Sequence, residues 1–469
     1  MLLSPLFLLN LGKLALTDAV LLLFQTIAAL ALLRGAVRPS WQATVVLWTA
    51  VAAGLLAKGP PILILVGGMF VFLLVFHRRR RNLVHLHPGC GLPLALVPLA
   101  VWIGLAWQQD QRYVLFMGYW YILRRAGGTT FGQSGPPGTY FLLLFGCLLP
   151  WTGYLLTALT ETWRRLHKRR LAFVLLASWL FGGWILWEIV PSKLPTYTLG
   201  AFPALLLLLA RQVRLNVAGR ISWASHATLR AGFHVLIGVC VALAVAVLAA
   251  GVWLGAPWAK ALAIVPAAVI VALGVLAWRY QRRGLPNAAL QTLLFGALVG
   301  NGLVWLIVVP GLEPLRSATR QVAAAVAQQC VPGTTVVAAK SASTSSLPFY
   351  AQQAGLGFRD VLQEDQPRQR VEVDWSLLWE LKTRELVRQV KAQNPDPLSD
   401  EEARRLRLER VAELYRSGQP LAFVLDEEQY VALADTLAGA RVLRIKGWLS
   451  DRFVETTYVI VLAPAALRA

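Results

Sequence analysis

Five side chains in this sequence form a set that can bind and release a phosphate while a proton moves. They are a carboxylate, Asp18; three cationic groups, Lys58, Arg124 and Lys193; and a phenol, Tyr197. Fixed cations at a low-dielectric site stabilise the charge that develops on a departing phosphate. A carboxylate beside them can draw the proton from an attacking hydroxyl. Asp18, Lys58 and Lys193 lie in or beside long apolar runs, where a charged side chain costs on the order of 2.5 to 3.5 kcal/mol at a helix centre. Plainer readings stand next to the chemical one. Asp18 can serve as an N-cap or first-turn carboxylate of the helix that follows it, and Lys58 and Lys193 can reach out to lipid headgroups.

The elements that must position these groups are membrane helices. The chain is 57% hydrophobic and 15% charged, with a mean hydropathy of +0.57, which is outside the range of soluble globular domains. Runs able to span a bilayer begin near Thr17, Trp41, Ile62, Leu92, Tyr140, Leu171, Thr198, Ala231, Ala261 and Leu290, about ten in all, with residues 1–11 as an N-terminal stub. The loops between them are alternately rich and poor in arginine. Residues 34–38, 77–81, 164–170, 211–230 and 279–283 hold 18 of the 25 basic residues before position 311, and the alternate segments hold the other seven. The positive-inside rule puts the rich loops in the cytoplasm and the poor ones outside. All five candidate residues lie on the outer side. The arginine clusters themselves read as orientation signals and headgroup contacts.

The net charge of +21 is not a nucleic-acid signal. Residues 1–310 carry 25 Lys and Arg against Asp18, Asp110, Glu161 and Glu188, whereas residues 311–469 carry 20 of each sign. The excess therefore sits in membrane loops, and no nucleic-acid partner is expected. The expected division is a transmembrane domain over 1–310 and a soluble α/β domain over 311–469, placed outside the cytoplasm by the arginine parity. Within the latter, 316–329 has helical spacing, 334–339, 421–425, 441–445 and 458–462 read as strands, and 375–419 reads as a charged helical insertion broken at 394–397, with Ser399 as a cap for its second helix.

The outer loop 108–137 mixes Tyr113, Phe116, Tyr119, Trp120 and Tyr121 with Arg112, Arg124 and Arg125, the pattern of an interfacial amphipathic helix. All six histidines fall on the inner side by arginine parity. There is no Cys-x-x-Cys, zinc-protease, Walker or dinucleotide pattern, and the four cysteines are scattered singly. A donor already attached to lipid suits the lack of a nucleotide fingerprint.

Several segments together resemble the bacterial membrane glycosyltransferases that include the lipid A aminoarabinose transferase and are related to protein O-mannosyltransferases. They are Leu14-Ala15-Leu16-Thr17-Asp18-Ala19, Ala57-Lys58-Gly59-Pro60, Leu149-Pro150-Trp151, Ser192-Lys193-Leu194-Pro195-Thr196-Tyr197, Phe202-Pro203-Ala204 and, in the tail, Leu347-Pro348-Phe349-Tyr350. The resemblance implies a C-type glycosyltransferase fold, mainly α, with a polytopic helical bundle. It further implies inverting transfer of a sugar from a polyprenyl-phosphate donor to a lipid A, glycan or protein acceptor at the periplasmic face of the inner membrane. By matching segments Asp18 is the family's second active-site acid, Lys58, Lys193 and Tyr197 line the donor cavity, and Arg124 matches a loop arginine.

Two departures accompany the resemblance. The family begins with a further pair of spans whose acidic outer loop supplies the principal catalytic aspartate, and this chain starts after it. The natural start is accordingly expected further upstream, or the gene is truncated. The Glu-His pair that precedes the loop arginine in the family is Trp120-Tyr121 here. No cofactor is expected, and that change argues against a divalent metal. Two other readings stay open on sequence: a non-enzymatic membrane protein that binds or moves the lipid-linked sugar with the same cations, and a solute transporter, which the absence of an inverted hydropathy repeat disfavours.

Overall fold

A computed structural model describes residues 5, 7, 8, 17–109, 111–115, 117, 118, 134–253, 257–303, 306, 318–339, 346–360, 385, 388, 389, 400–449 and 454–468. The chain divides into two compact units, 1–305 and 306–469. The first is helical. Among its described residues seven helices are long and apolar enough to cross a membrane, with the shorter apolar helix Pro61–Phe76 beside them. This is a polytopic membrane protein of the α-helical kind.

Helices α1 (Thr17–Val37) and α2 (Trp41–Lys58) form an antiparallel hairpin. Its turn is short because Ser40 caps α2, accepting the amide of Ala43 at 3.2 Å. At its other end α2 stops at Gly59, whose φ of 78° is open to glycine and strained for other residues. Pro60 follows, and Pro61 opens α3 (Pro61–Phe76) at a position where no amide hydrogen is needed. A 3-10 stretch over Arg80–Leu86 carries part of the polyarginine run into α4 (Pro88–Gln109), which is little buried and therefore faces lipid.

The apolar run that begins near Tyr140 is not one rod. It is divided into α6 (Thr139–Cys147) and α7 (Thr152–His167), after the short α5 (Gln111–Leu115). Pro150 has no amide to donate, so the helical ladder cannot run through it. The Thr152 hydroxyl donates instead to the Phe145 carbonyl at 2.5 Å, which satisfies an acceptor left open by the break.

Helix α8 (Leu171–Ile189) contains a π turn over Phe181–Ile185. The expected span near Thr198 is realised as a 3-10 turn, Pro195–Ala201, running into α9 (Phe202–Val217), which is the most enclosed of the candidate spans. Two glycines in the π turn explain the close packing. A Cβ on Gly182 would lie 2.2 Å from the Leu65 carbonyl oxygen of α3, and one on Gly183 would lie 2.7 Å from the Ala201 amide nitrogen. Only hydrogen at these positions lets α8 seat against both α3 and the 195–201 turn. Long helices α10 (Trp223–Trp253), α11 (Pro257–Arg282) and α12 (Pro286–Leu303) complete this unit.

The second unit is built on a five-stranded mixed sheet of order β2-β1-β3-β5-β4. The strands are β1 (Thr335–Ala338), β2 (Gly357–Asp360), β3 (Leu421–Leu425), β4 (Arg441–Leu449) and β5 (Val454–Leu462). β1 runs parallel to β2 and β3; β5 runs antiparallel to β3 and β4. Every residue of β3 is buried, as its unbroken apolar sequence requires for a strand covered on both faces. Helices α13 (Ala318–Gln329), α14 (Leu347–Gln353), α15 (Asp400–Arg416) and α16 (Glu427–Leu433) belong to this unit. β2, with a single apolar residue in Gly-Phe-Arg-Asp, carries no alternating pattern and is not legible in the sequence. About half of the predicted insertion 375–419, Ser399 included, lies outside the described residues, and its second helix is α15.

Candidate active site

Antiparallel packing brings the N-terminus of α1 and the C-terminus of α2 to the same end. Asp18 lies in the first turn of α1 and Lys58 is the last residue of α2, so each charge sits at the helix end whose dipole favours it. Lys58 Nζ donates to Asp18 Oδ1 at 2.5 Å. Asp18 is 6% exposed, so the carboxylate is held away from bulk water by its partner. The pair lines a narrow crevice together with Leu21, Gln25, Thr196 and Tyr197.

The sequence logic of that crevice is helical and local. Asp18, Leu21 and Gln25 are spaced at i, i+3 and i+7, one face of α1. Gln25 escapes a search for charged groups, yet an amide inside an apolar run is a signal of the same kind. It is buried, it donates to the Pro61 carbonyl at 3.4 Å, and it packs against Gly200, where a Cβ would come within 2.9 Å of its Oε1. Tyr197 and Thr196 arrive from the 3-10 turn, which Trp179 anchors by donating its indole N–H to the Gly200 carbonyl at 2.6 Å. Tyr197 also stacks in a tilted contact on Trp187, with ring centroids 4.8 Å apart.

Asp18, Lys58 and Tyr197 are therefore brought together. Lys193 is held differently. Its ammonium donates to the Trp187 and Glu188 carbonyls at 3.1 and 2.8 Å, at the C-terminal end of α8, and lies 4.8 Å from the centre of the Tyr140 ring. Loss of water draws its pKa below the ordinary lysine value, and the negative charge of Glu188 acts in the opposite direction. Arg124 lies outside the described residues, as does most of the aromatic loop around it.

Two further residues tie the segment 191–197 in place, and sequence reasoning gave neither a role. The Glu188 carboxylate accepts the amides of Gly138, Tyr140 and Phe141 at 2.8, 3.4 and 2.8 Å, capping the N-terminus of α6, and it also accepts the Trp184 indole N–H at 3.0 Å. The Tyr140 hydroxyl donates to the Ser192 carbonyl at 3.3 Å and accepts the Leu194 amide at 3.0 Å. An isolated bridge between Ser134 and Ser192 and a bond from the Gly135 amide to the Pro191 carbonyl at 3.2 Å complete the clasp. The segment that delivers Tyr197 is thus fixed from both sides.

An ion pair with a phenol at the mouth of a narrow crevice is an arrangement for an anionic ligand and a mobile proton. No family model matches the chain. Among curated proteins it is similar to the undecaprenyl phosphate-alpha-4-amino-4-deoxy-L-arabinose arabinosyl transferase of Pseudomonas paraeruginosa, 29% identical over 231 residues, which are 48% of this chain and 41% of that protein. The enzyme of the same name from Edwardsiella ictaluri is 33% identical over 142 residues, 30% of this chain and 25% of that protein. The match to the first of these relatives thus spans about two-fifths of its length, 41%. Among solved structures, ArnT from Cupriavidus metallidurans bound to undecaprenyl phosphate superposes on the whole of this chain, 100%, and on 79% of its own, with a TM-score of 0.67 at 19% identity. Its apo state gives a TM-score of 0.65 at 20% identity, covering 99% of this chain and 77% of that one. The chain has this C-type glycosyltransferase fold and is a relative of the undecaprenyl-phosphate arabinosyl transferases.

Proposed function

We propose that the protein transfers a sugar from a polyprenyl-phosphate donor to a hydroxyl of a lipid A, glycan or protein acceptor, with inversion at the anomeric carbon, on the periplasmic side of the inner membrane. The observation that carries this reading is the Asp18–Lys58 pair in one crevice with Tyr197. It agrees with the activity in the names of the arabinosyl transferases and with the lipid phosphate bound by the Cupriavidus protein.

In the reaction the acceptor oxygen forms a bond to the anomeric carbon as the bond from that carbon to the phosphate oxygen breaks. The bonding electrons leave with the phosphate, and the acceptor proton passes to the Asp18 carboxylate. Lys58 is shared between Asp18 and the phosphate: a phosphate that draws its Nζ away leaves the carboxylate an oxygen for the acceptor hydroxyl. Tyr197 donates its O–H to the phosphate, and Arg124 adds a cation from the loop. Lys193 acts from behind, through the clasp that carries Tyr197, with its charge held on backbone carbonyls. Residues 311–469 form the periplasmic domain.

The test is transfer of radiolabelled sugar from undecaprenyl phosphate in membranes that express the chain, compared with Asp18→Asn and with membranes lacking the chain. Transfer that depends on the chain and is lost in the variant supports the reading. Transfer retained in Asp18→Asn removes Asp18 from the chemistry, and no chain-dependent transfer from any polyprenyl-phosphate sugar removes the activity.

A further inference from the structure

The other end of α9 carries a second cluster that the crevice does not use. Arg211 is 14 positions beyond Tyr197, about 20 Å away at the rise of a helix. Near it, the last turns of α7 bring Glu161 and Arg165, and the first turn of α8 brings Phe173. Both arginines address one oxygen. Arg165 Nε donates to Glu161 Oε1, and Arg211 Nη1 lies 3.8 Å from the same atom, too far for a hydrogen bond. Nη1 of Arg211 is buried with no acceptor. Both guanidiniums also lie against the Phe173 ring, 5.3 and 5.2 Å from its centre.

One carboxylate shared by two arginines leaves a positive charge uncancelled. The outer portions of the two side chains, 39% and 32% exposed, remain open. Around them Arg164, Lys168, Arg169, Arg170 and Arg214 are exposed with no carboxylate among them. Apolar surface adjoins the charge: Trp163 is 65% exposed and Leu171 is 48% exposed. Paired guanidinium forks match phosphate oxygens in geometry as well as charge, and a tryptophan beside a basic cluster at the ends of membrane helices is the surrounding of a lipid headgroup.

We propose that Arg165 and Arg211, both against Phe173 and sharing the single carboxylate of Glu161, form a binding site for the phosphate of an anionic phospholipid at the arginine-rich end of the helical unit. The lipid phosphate bridges the two guanidiniums at the portions that stay exposed, while its acyl chains lie along the exposed apolar surface.

The test is native mass spectrometry of the purified full chain in a neutral detergent, titrated with phosphatidylglycerol, with phosphatidylcholine and with inorganic phosphate. Phosphatidylglycerol is expected to bind, and Arg165→Gln/Arg211→Gln to weaken it on the order of tenfold, the scale of a lost charge-assisted hydrogen bond. Arg80→Gln/Arg81→Gln, which removes the same charge from another basic stretch, is expected to leave it within about twofold, below the scale of one such bond. Glu161→Gln, which removes the competing carboxylate, is expected to tighten it. Should the glutamine pair fail to fold, Arg165→Lys/Arg211→Lys keeps the charge without the fork and is expected to weaken binding. Equal binding of the two lipids, equal loss in the two arginine pairs, or weaker binding in Glu161→Gln overturns the site. Displacement of the lipid by inorganic phosphate at equal concentration overturns its assignment to lipid. None of these readouts depends on sugar transfer.

Discussion

The two ends of the helical unit use the same ingredients to opposite effect. At one end a carboxylate and an amine are matched one to one, Asp18 with Lys58, and both are largely withdrawn from water. At the other a single carboxylate, Glu161, serves Arg165 and Arg211, and the cations stay partly exposed. A matched buried pair is poised for exchange, because any anion that enters must compete with Asp18 for Lys58. An unmatched, open cluster is a standing receptor for anions. The difference teaches that charge near a membrane is read from pairing and burial, not from the count of arginines.

The contrast is broken most directly by Asp18→Asn against Glu161→Gln. Sugar transfer is expected to fall by about 100- to 10,000-fold in the first, the contribution of a general base. The second is expected to stay within about twofold of the parent, since Glu161 belongs to the Arg165 and Arg211 cluster and does not line the crevice. Equal losses in the same radiolabel assay would erase the distinction.

Stability offers the next largest effect. Lys58→Ala leaves the Asp18 carboxylate buried without its partner and is expected to cost about 3 to 5 kcal/mol. Arg211→Ala, where solvent and Arg165 remain, is expected to cost less than about 1 kcal/mol. Chemical unfolding of the purified variants measures both, and Asp18→Asn/Lys58→Met is expected to recover most of the loss. A smaller change comes from the clasp. Glu188→Gln keeps the shape but gives up the charge that caps α6, and about 2 kcal/mol is expected, the scale of hydrogen bonds to a charged group. With it the Tyr197 segment loosens, so the Michaelis constant for the donor rises more than the turnover rate falls.

The smallest effect serves as a control in the second unit. Asp426 accepts the Gln429 amide at 2.8 Å while the Gln429 side chain accepts the Asp426 amide at 3.0 Å, a reciprocal cap on α16. Asp426→Ala is expected to lower stability by about 1 kcal/mol with no change in transfer. A loss of transfer in this variant would mean that the difference between the two ends is not a property of the helical unit alone.

Much of this was legible from residue order. The membrane class follows from composition, and the apolar runs near Thr17, Trp41, Leu92 and Leu171 each become a long helix, in which every backbone group can be satisfied within the segment. The run at Leu92 does so even though α4 carries Pro93 and Pro98 inside it, and still extends from Pro88 to Gln109. In the second unit β3 occupies the very residues, 421–425, that the unbroken apolar run marked. The run at Tyr140 was less readable, since hydropathy is blind to the missing amide of Pro150.

What the sequence by itself determined is which segments leave water and which residue types can hold a phosphate, because transfer free energy and side-chain chemistry belong to the residues one at a time. Only the tertiary structure decided who meets whom. Lys58 and Lys193 are the same residue in similar Pro-containing turns, yet one points at a carboxylate 40 positions away and the other at the carbonyls of its own helix end. Pairing over such distances is set by helix ends coming together and by hydrogen-only contacts such as Gly182 on Leu65, and no local pattern encodes it.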